Sequence, residues 1–385
     1  MTALTAGYIG VAAMLVLLFL GMPLAYTFAL SGVFGITLIL GLNNGLNYLM
    51  SIPFSAAASY TFIVMPLFML MGDFAYNGGL TSDAYGAARK WFGHVPGGLA
   101  VTSTVASALF GALCGSGSTT ALVMTQVAWP EMKESKYDPG LGLGSIVGAG
   151  PLAILIPPSV PLIMYGLLSG ASIGRLFMAG WLPGILLTVT LSICTILQVK
   201  LNPSKAPMMK KASLKERIKS LGAVWPFLVL ILVVMGSIWG GICTVNEAAG
   251  IGVIGSMVII ALMRRMNFKG FLQTLKKTCS AGCAMFFMFV GIQIFNTFMS
   301  LSGIPRSLAA WVGGLPLPPS LIIWVIVILY LILGCFLDSP PVMMLTVGLL
   351  APVVQSLGYD LVWFGIVVAF TVAVGALTPP VGINL

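Results

Sequence analysis

The stretch of sequence that decides the fold is FGALCGSGSTTALV, residues 110–123. It lies within residues 91–130, a segment without Asp, Glu, Lys or Arg, which is typical of chain embedded in lipid. Its middle, residues 111–120, nevertheless contains three glycines and four Ser or Thr residues. Because glycine and hydroxyl side chains are weak helix formers, the stretch predicts a break in a helix at membrane depth.

The composition of the whole chain indicates a membrane protein. Its 385 residues are 59% hydrophobic and 7% charged, with a mean hydropathy of +1.07, whereas soluble domains contain about 25% charged residues. An α-helix needs about 20 apolar residues to cross the hydrocarbon core of a bilayer. The predicted fold class is therefore an all-α polytopic membrane protein. Besides residues 91–130, the uncharged segments that reach this length include 1–72, 139–174, 176–199, 220–246, 278–305, 307–337 and 361–385.

The residue types that most enzymes need are scarce. The six cysteines form no C-x-x-C pair and His94 is the only histidine, so a metal or redox centre is not expected. Aspartyl catalysis inside a membrane needs two carboxylates, and only Asp338 lies clearly within an apolar segment. We therefore do not predict an enzyme. A passive channel would explain polar breaks, but it would not require the paired hairpins described below.

Positive charge marks one side of the membrane. Residues 200–219 and 264–277 carry twelve of the 18 Lys and Arg residues. Two apolar segments, 225–241 and 248–263, separate these basic loops, so both loops lie on the same side. The positive-inside rule makes that side the cytoplasm.

Comparing the chain with itself reveals a weak internal repeat. GALCGS at 111–116 matches GCFLDS at 334–339, an offset of 223 residues. Three further pairs follow at an offset of 222: WP at 129–130 with AP at 351–352, YD at 137–138 with YD at 359–360, and IPP at 156–158 with TPP at 378–380. Because one single-residue gap aligns all of them in order, the sequence predicts a duplication.

The duplication predicts two inverted halves, residues 1–219 and 220–385. In the first half we expect an amphipathic arm at 80–95, a re-entrant helical hairpin at 98–130 and a broken helix at 146–165. In the second half we expect an arm at 304–314, a hairpin at 317–355 and a broken helix at 362–385. Non-crossing hairpins leave each half with an odd number of spans, which gives the inverted repeats of many secondary transporters. Plain loops are the alternative for the arms.

This topology has two consequences. It places 16 of the 18 basic residues on the cytoplasmic side, which supports hairpins over full spans. The second half also ends without a counterpart of the segment 176–199, and we expect one C-terminal span to be missing.

Four polar breaks fall at equivalent places in the two halves. The hairpin tips read CGSGSTT (114–120) and LDSPP (337–341), and the broken helices read GAGPLAILIPPSVP (148–161) and VGALTPPVGIN (374–384). At membrane depth, unwound backbone is tolerated only where it is buried in protein or lines a cavity. There its carbonyl oxygens suit a cation, and half-helix N-termini suit an anion. Close helix packing is the alternative for GSGSTT alone, but recurrence in both halves favours a binding site.

A few charged or polar residues in or near the apolar segments have possible functional roles. A carboxylate within the membrane costs about 2.5–3.5 kcal/mol and normally faces a partner or a cavity, so we expect Asp338 to act on a cation. A protonated, structural Asp338 is the alternative. Glu247 begins a span, where it has either a functional role or that of stabilising a helix N-terminus. We place Asp73 and Asn77 at the cytoplasmic membrane surface.

Several segments together resemble a known family. They are GALCGSGSTTALV, GPLAILIPPSVPLIMYG, SGASIGRLFMAGWLPG, VNEAAG and GALTPPVG. Over essentially its whole length the chain resembles the large membrane subunit of tripartite ATP-independent periplasmic (TRAP) transporters, of the ion transporter superfamily. The resemblance implies a scaffold and a mobile transport domain that imports an organic acid across the bacterial inner membrane by a sodium-driven, elevator-type motion. It implies two partners, a small four-helix membrane subunit and a periplasmic binding protein, and no organic cofactor or nucleic acid.

The resemblance also implies ligands. One sodium site would comprise Gly115, Ser116, Ser118 and the break from Gly148 to Pro151, and the other Asp338, Ser339, Gly375, Thr378 and Pro379. The substrate, a carboxylate or sulfonate, would lie between the tips against Ser116, Thr119, Ser159, Ser339 and Pro340. A proton-coupled or uncoupled organic-anion transporter or channel is the alternative, although the shortage of His and paired carboxylates disfavours a proton relay.

Overall fold

The fold is seen in a computed structural model that describes residues 2–379 and Gly382. Within these residues the protein consists of α-helices and short connections, without β-strands, which confirms the predicted all-α class. The helices are α1 (Ala3–Phe19), α2 (Leu24–Leu40), α3 (Leu42–Ala57), α4 (Val64–Asn77), α5 (Leu80–Phe92), α6 (Gly98–Cys114), α7 (Gly117–Glu134), α8 (Pro139–Gly148), α9 (Leu152–Leu155), α10 (Val160–Ser169), α11 (Ile173–Leu201), α12 (Leu214–Trp239), α13 (Val245–Leu262), α14 (Phe268–Ser302), α15 (Ile304–Gly313), α16 (Pro319–Phe336), α17 (Ser339–Ser356) and α18 (Leu361–Gly375).

Helix length and hydropathy identify a multi-pass membrane protein. Six helices of the described chain, α11, α12, α13, α14, α16 and α17, are long and apolar enough to cross a bilayer. The helices from α8 to α10 together meet the same criteria as one span bent by 41°. Large apolar side chains remain exposed on these helices, such as Leu182 of α11 at 76%, as contact with lipid requires.

The first predicted hairpin is formed by α6 and α7. Residues 115–116 interrupt the helix between them. The backbone N–H of Leu99, in the first turn of α6, donates a 3.0 Å hydrogen bond to the hydroxyl of Tyr137, just beyond α7. Since these residues lie at the far ends of the two helices, the chain folds back on itself at the tip.

The second predicted hairpin is formed by α16 and α17. Here residues 337–338 interrupt the helix. The hydroxyl groups of Tyr330 and Thr346 are joined by a 2.8 Å hydrogen bond, and the two residues lie at similar distances along the chain from this tip. Both segments are therefore helical hairpins.

The predicted broken helix at 146–165 is part of a longer interrupted segment, α8 to α10. A first interruption separates α8 from α9, and a second, at residues 156–159, separates α9 from α10. Prolines account for both, since Pro151 and the pair Pro157–Pro158 lack the N–H that a continuous helix needs. The segment supplies two chain breaks to the first half rather than one.

Both predicted arms are helical. Helix α5 is tied to other elements near each end: Asp83 forms an ion pair with Arg265, and Arg89 forms one of 2.7 Å with Glu131 of α7. The first arm thus connects the α13–α14 turn with the first hairpin.

Each of the two basic segments, predicted to be a loop, contains the beginning of a helix. Ser213 and Glu216 form a reciprocal cap that begins α12 within residues 200–219. Asn267 accepts a 2.8 Å hydrogen bond from the N–H of Gly270 and begins α14 within residues 264–277. Local caps therefore extend two spans into the charged segments.

Candidate functional site

The first hairpin tip is a turn that requires glycine. Gly115 has φ +64°, in the left-handed region, and Ser116 then accepts a hydrogen bond from the N–H of Thr119 to cap α7. The carbonyl of Gly115 accepts a 3.1 Å hydrogen bond from the N–H of Val160. A Cβ atom at position 115 would lie 2.9 Å from the carbonyl oxygen of Pro158. This tip is therefore fixed directly against the second interruption of the α8–α10 segment.

The second tip carries the carboxylate. Asp338 precedes α17, and its Oδ1 accepts a 2.7 Å hydrogen bond from the N–H of Ser339. Pro340 and Pro341 follow in the first turn of α17, where a helix does not need their missing N–H groups. The Oγ of Ser339 is buried and has no hydrogen-bond partner within the described chain. A negative charge at a helix N-terminus is electrostatically favourable.

The two tips are in contact. Ser118 Oγ donates a 3.0 Å hydrogen bond to Asp338 Oδ2 and so joins α7 to the start of α17 across 220 residues of sequence. Ser118 is predicted for one sodium site and Asp338 for the other. The structure therefore brings residues from the two predicted sodium sites into direct contact.

A cavity of about 140 Å³ is lined by both tips. Helices α4, α9, α10 and α14 complete its wall, with Asp73, Tyr76 and Met285 among the lining residues that sequence analysis did not assign to the site. The predicted residues that line it are Gly115, Ser116, Thr119, Asp338, Ser339 and Pro340.

Three helices begin at this cavity. Residues 116–117 start α7, residues 160–161 start α10 and residues 339–340 start α17, and all of them line the cavity. The unsatisfied N–H groups of a helix N-terminus, together with its dipole, attract anions. Hydroxyl, carboxylate and carbonyl oxygens in the same wall suit a hard cation. The site thus contains groups for ions of both signs.

The first interruption, Gly148 to Pro151, touches the first tip without lining the cavity. A Cβ atom on Gly117 would lie 3.2 Å from the carbonyl oxygen of Gly150. Gly148 ends α8 and Pro151 precedes α9, and neither is part of the cavity wall.

Ser159 also lies outside the cavity wall. It is fully buried, its Oγ donates a 2.6 Å hydrogen bond to the carbonyl of Ile154, and it caps the start of α10. The next residues, Val160 and Pro161, reach the cavity instead. In this arrangement the hydroxyl of Ser159, predicted to contact the substrate, is bonded to backbone and does not line the cavity.

The predicted residues of the second broken helix are also away from the cavity. Gly375 ends α18, Thr378 Oγ1 donates a 2.9 Å hydrogen bond to the carbonyl of Val374, and both Thr378 and Pro379 are exposed. Within the remainder of 362–385, Pro380, Val381 and residues 383–385 lie outside the described residues. The N–H of Gly382 donates a 3.4 Å hydrogen bond to the carbonyl of Cys335, near the second tip.

One close backbone contact recurs in both halves. A Cβ atom on Gly111 of α6 would lie 2.6 Å from the Cα of Ala153, and one on Gly334 of α16 would lie 3.0 Å from the Cα of Gly375. The sequence offsets of 223 and 222 relate Gly111 to Gly334 and Ala153 to Gly375. The same hairpin-to-break packing therefore supports the duplication inferred from sequence, and Gly375 serves close packing.

Asp73 is a cavity residue that the sequence analysis did not assign to the site. It lines the cavity, and its carboxylate accepts hydrogen bonds from Lys277 Nζ at 2.8 Å and from Thr278 Oγ1 at 2.7 Å. The signal available in the sequence was its position as the first charged residue after 72 uncharged ones. Its partners lie 204 and 205 residues away, so no local pattern around Asp73 indicates them.

Glu247 and the possible metal-binding residues remain to be placed. Glu247 Oε2 accepts hydrogen bonds from the N–H and the hydroxyl of Thr244 and forms a helix cap, which matches the structural alternative. No group of three His, Cys, Asp or Glu residues that could hold a metal ion occurs within the described residues.

Comparison with known proteins assigns the sequence to a family. Residues 11–385 match the family described as the tripartite ATP-independent periplasmic transporter, DctM component. The chain belongs to this family. As a TRAP permease it is a component of a transporter rather than an enzyme.

Individual relatives cover most of the chain. The C4-dicarboxylate TRAP transporter large permease protein DctM of Pseudomonas aeruginosa is 32% identical over 334 residues, covering 86% of this TRAP permease and 78% of that protein. The sialic acid TRAP transporter large permease protein SiaM of Vibrio cholerae is 30% identical over 370 residues, covering 96% and 86%.

A solved structure shares the fold. The YdaH transporter of Alcanivorax borkumensis superposes with a TM-score of 0.66 over 88% of this TRAP permease and 79% of that chain, at 14% sequence identity. At this identity the likeness concerns the fold alone.

Proposed function

We propose that this TRAP permease imports an organic acid together with sodium ions, and that the two hairpin tips form the transport site. The observation that carries the proposal is the meeting of both tips, through Ser118 and Asp338, at a cavity into which three helix N-termini open. The relatives named for C4-dicarboxylates and sialic acid both take carboxylates, which supports an organic acid as the substrate class.

The proposed sodium ligands are oxygen atoms of the tips. Asp338 supplies charge, and the buried Oγ of Ser339, unpaired within the described chain, is oriented by the same helix start. Ser116 and the carbonyl of Gly115 belong to the first tip, and Ser118 connects the two sets. Sodium is a hard cation that prefers such oxygens.

The substrate carboxylate is proposed to bind at the starts of α7, α10 and α17. These helix N-termini present N–H groups and positive dipole ends to an anion. Thr119, Ser339 and Pro340 line the same space and would set its shape. Ser159 would support the start of α10 from behind rather than touch the substrate.

Energetics explain why sodium would be needed. A monoanion entering a cell against a membrane potential of about 100 mV costs about 2.3 kcal/mol, and each sodium ion contributes about that much in return. A tenfold sodium gradient adds about 1.4 kcal/mol per ion. Two ions would therefore leave roughly 5 kcal/mol, enough for more than a thousandfold accumulation.

The proposal includes orientation, motion and partners. Both basic segments face the cytoplasm of a bacterial inner membrane, and the hairpins are re-entrant and move as an elevator-type transport domain while the arms connect it to a scaffold. The ion pairs of α5 to Arg265 and to Glu131 support such a connecting role for the first arm. A small four-helix membrane subunit and a periplasmic binding protein complete the transporter, in keeping with the tripartite name of the family.

Transport in proteoliposomes tests the proposal. The permease with its small subunit is reconstituted, binding protein is added outside, and uptake of labelled succinate or sialic acid is followed under separate sodium, proton and potassium gradients. We expect accumulation only with an inward sodium gradient. Accumulation driven by a pH gradient alone would instead establish proton coupling, and equilibration without any gradient would establish an uncoupled carrier or channel.

A further inference from the structure

The cavity at the tips lacks a basic residue although it contains two acidic ones. Asp73 and Asp338 both line it, and its wall within the described chain includes no Lys or Arg. Two carboxylates near a bound organic anion would repel it, because like charges interact strongly in a site of low polarity. The proposed sodium ion neutralises the negative charge of Asp338. The negative charge of Asp73 needs a separate partner.

Lys277 of α14 is that partner. Its Nζ lies 2.8 Å from Asp73 Oδ1 and 5.9 Å from the centre of the Tyr76 ring. The Asp73 side chain is 15% exposed, whereas that of Lys277 is 59% exposed. A lysine ammonium has three donors, and this contact with Asp73 uses one. The remaining donors are therefore free to bind an anion without uncovering Asp73.

Lys277 also stands beside a second, polar cavity. This cavity, of about 370 Å³, is lined mainly by basic and amide side chains, together with Thr274, Met266 and Gly270, and Lys277 is part of its wall. Asn77 of this second cavity and Asp73 of the first are four residues apart on α4, about 6 Å along the helix axis. The other lining residues include Arg265, Asn267 and Gln273. The second cavity adjoins the basic segment 264–277, which faces the cytoplasm in the proposed orientation.

We propose that Lys277 binds the anionic group of the substrate on its way from the tip cavity to the cytoplasm, and that the polar cavity beside it is the exit vestibule. Lys277 binds the carboxylate of the substrate with its remaining donors while it keeps its contact with Asp73, and Arg265 lies further along the same wall. The inference rests on the proposed import of an organic acid and adds a residue and a route to it.

A purely structural role for Lys277 makes a different prediction. Helices α4 and α14 are also joined by the Asp73–Thr278 hydrogen bond of 2.7 Å, the Asn77–Thr274 hydrogen bond of 2.8 Å and ring stacking of Phe74 on Phe271. These contacts remain when Lys277 is changed, so Lys277→Gln should fold. If Lys277 only neutralised Asp73, removing both charges together would restore transport.

Exchange measured from the cytoplasmic face tests the proposal. The permease and its small subunit are reconstituted, and exchange of labelled succinate, and separately of sialic acid, is followed against varied substrate on the cytoplasmic side. We expect Lys277→Gln to raise the half-saturating concentration there about tenfold, which corresponds to about 1.4 kcal/mol. Lys277→Arg should retain most of the affinity, and the double variant Asp73→Asn/Lys277→Gln should stay impaired.

Lys276→Gln is the matched control, because Lys276 is the adjacent lysine of α14, is exposed and forms no ion pair within the described chain. Equal half-saturation for Lys277→Gln and Lys276→Gln would overturn the proposal, as would full recovery in the double variant. Exchange needs no sodium gradient. If uptake by the wild type did not depend on sodium, sodium coupling would be refuted. The comparison of Lys277→Gln with Lys276→Gln would still decide the role of Lys277.

Discussion

The first hairpin turns at Gly115 and Ser116, the second turns at Leu337 and Asp338, and the Ser118–Asp338 hydrogen bond joins the two turns. The offset of 223 residues pairs Gly115 with Asp338. One half therefore has a glycine in a left-handed turn where the other has a carboxylate that caps a helix. The two halves share the backbone break and its packing, but their polar groups are complementary.

The two halves also differ in what covers them. In the first half, Ala108, Ala149 and Leu152 are covered by side chains of α11, among them Trp181. The offsets pair these three residues with Leu331, Thr371 and Val374, which line an open apolar groove of about 440 Å³ within the described chain. Among the described residues, these positions of the second half are thus open where their counterparts are covered.

Removing the carboxylate should have the largest effect. We expect Asp338→Asn to lower sodium-driven uptake about a hundredfold or more, because it removes the charge of the second tip and weakens the contact with Ser118, a loss of about 3 kcal/mol. Uptake in proteoliposomes at several sodium concentrations measures it. Asp360→Asn is the control, because Asp360 caps α18 in an exposed position. Normal sodium dependence in Asp338→Asn would show that the carboxylate of the second tip does not bind the coupling ion.

Adding a side chain at the first tip should have the second-largest effect. Gly115→Ala should reduce uptake more than tenfold and lower the thermal denaturation midpoint, because the left-handed conformation costs about 1–2 kcal/mol and the new Cβ would lie 2.9 Å from a carbonyl oxygen. Gly170→Ala is a close control, because Gly170 has a similar φ of +74° but a Cβ atom there would meet no heavy atom within 4 Å. Equal effects at both positions would mean that the contact between tip and break is unimportant.

Breaking the bond between the tips should have a moderate effect. Ser118→Ala removes one hydrogen bond to a charged group, and we expect uptake to fall several-fold, equivalent to about 1–2 kcal/mol. Ser145→Ala is the control, because the hydroxyl of Ser145 bonds only within its own helix. A double-mutant cycle with Asp338→Asn checks the contact directly: additive losses would show that Ser118 and Asp338 act independently.

The smallest effect concerns the connection of the first arm to its hairpin. Burial, followed by the positive charges of Arg217 and Lys211, lowers the pKa of His94, and its neutral Nδ1 accepts a 3.2 Å hydrogen bond from Arg217. A cationic group with a lowered pKa in the folded state stabilises the protein above its ordinary pKa of about 6.5, and this contribution is lost as pH falls through the lowered value.

We therefore expect the denaturation midpoint of the wild type to fall more between about pH 7 and pH 5 than that of His94→Gln. The second arm, α15, leads into its hairpin without a histidine, so it provides no such dependence. If the denaturation midpoints of the two proteins changed with pH in parallel, His94 would not be hydrogen-bonded to Arg217 in solution.

The sequence predicted features that depend on local chemistry. Pro and Gly located the interruptions at 115–116, 337–338 and 148–161, and the offset of 223 paired Gly111 with Gly334, which make similar close contacts. It did not predict contacts between distant helices, such as Ser118 with Asp338 or Asp73 with Lys277, because their partners lie about 200 residues apart and leave no local pattern. Thr378 and Ser159 were assigned to the site by motif, but their hydroxyls bond to nearby backbone.

The pairing of Ser118 with Asp338 limits how the two halves can be recombined. A chain assembled from two copies of the first half would have glycine at both turns and no negative charge between them. A chain assembled from two copies of the second half would bring two carboxylates together, and one would have to take up a proton to relieve the repulsion. Neither chimera reproduces the site, because it needs different polar groups at the two equivalent turns.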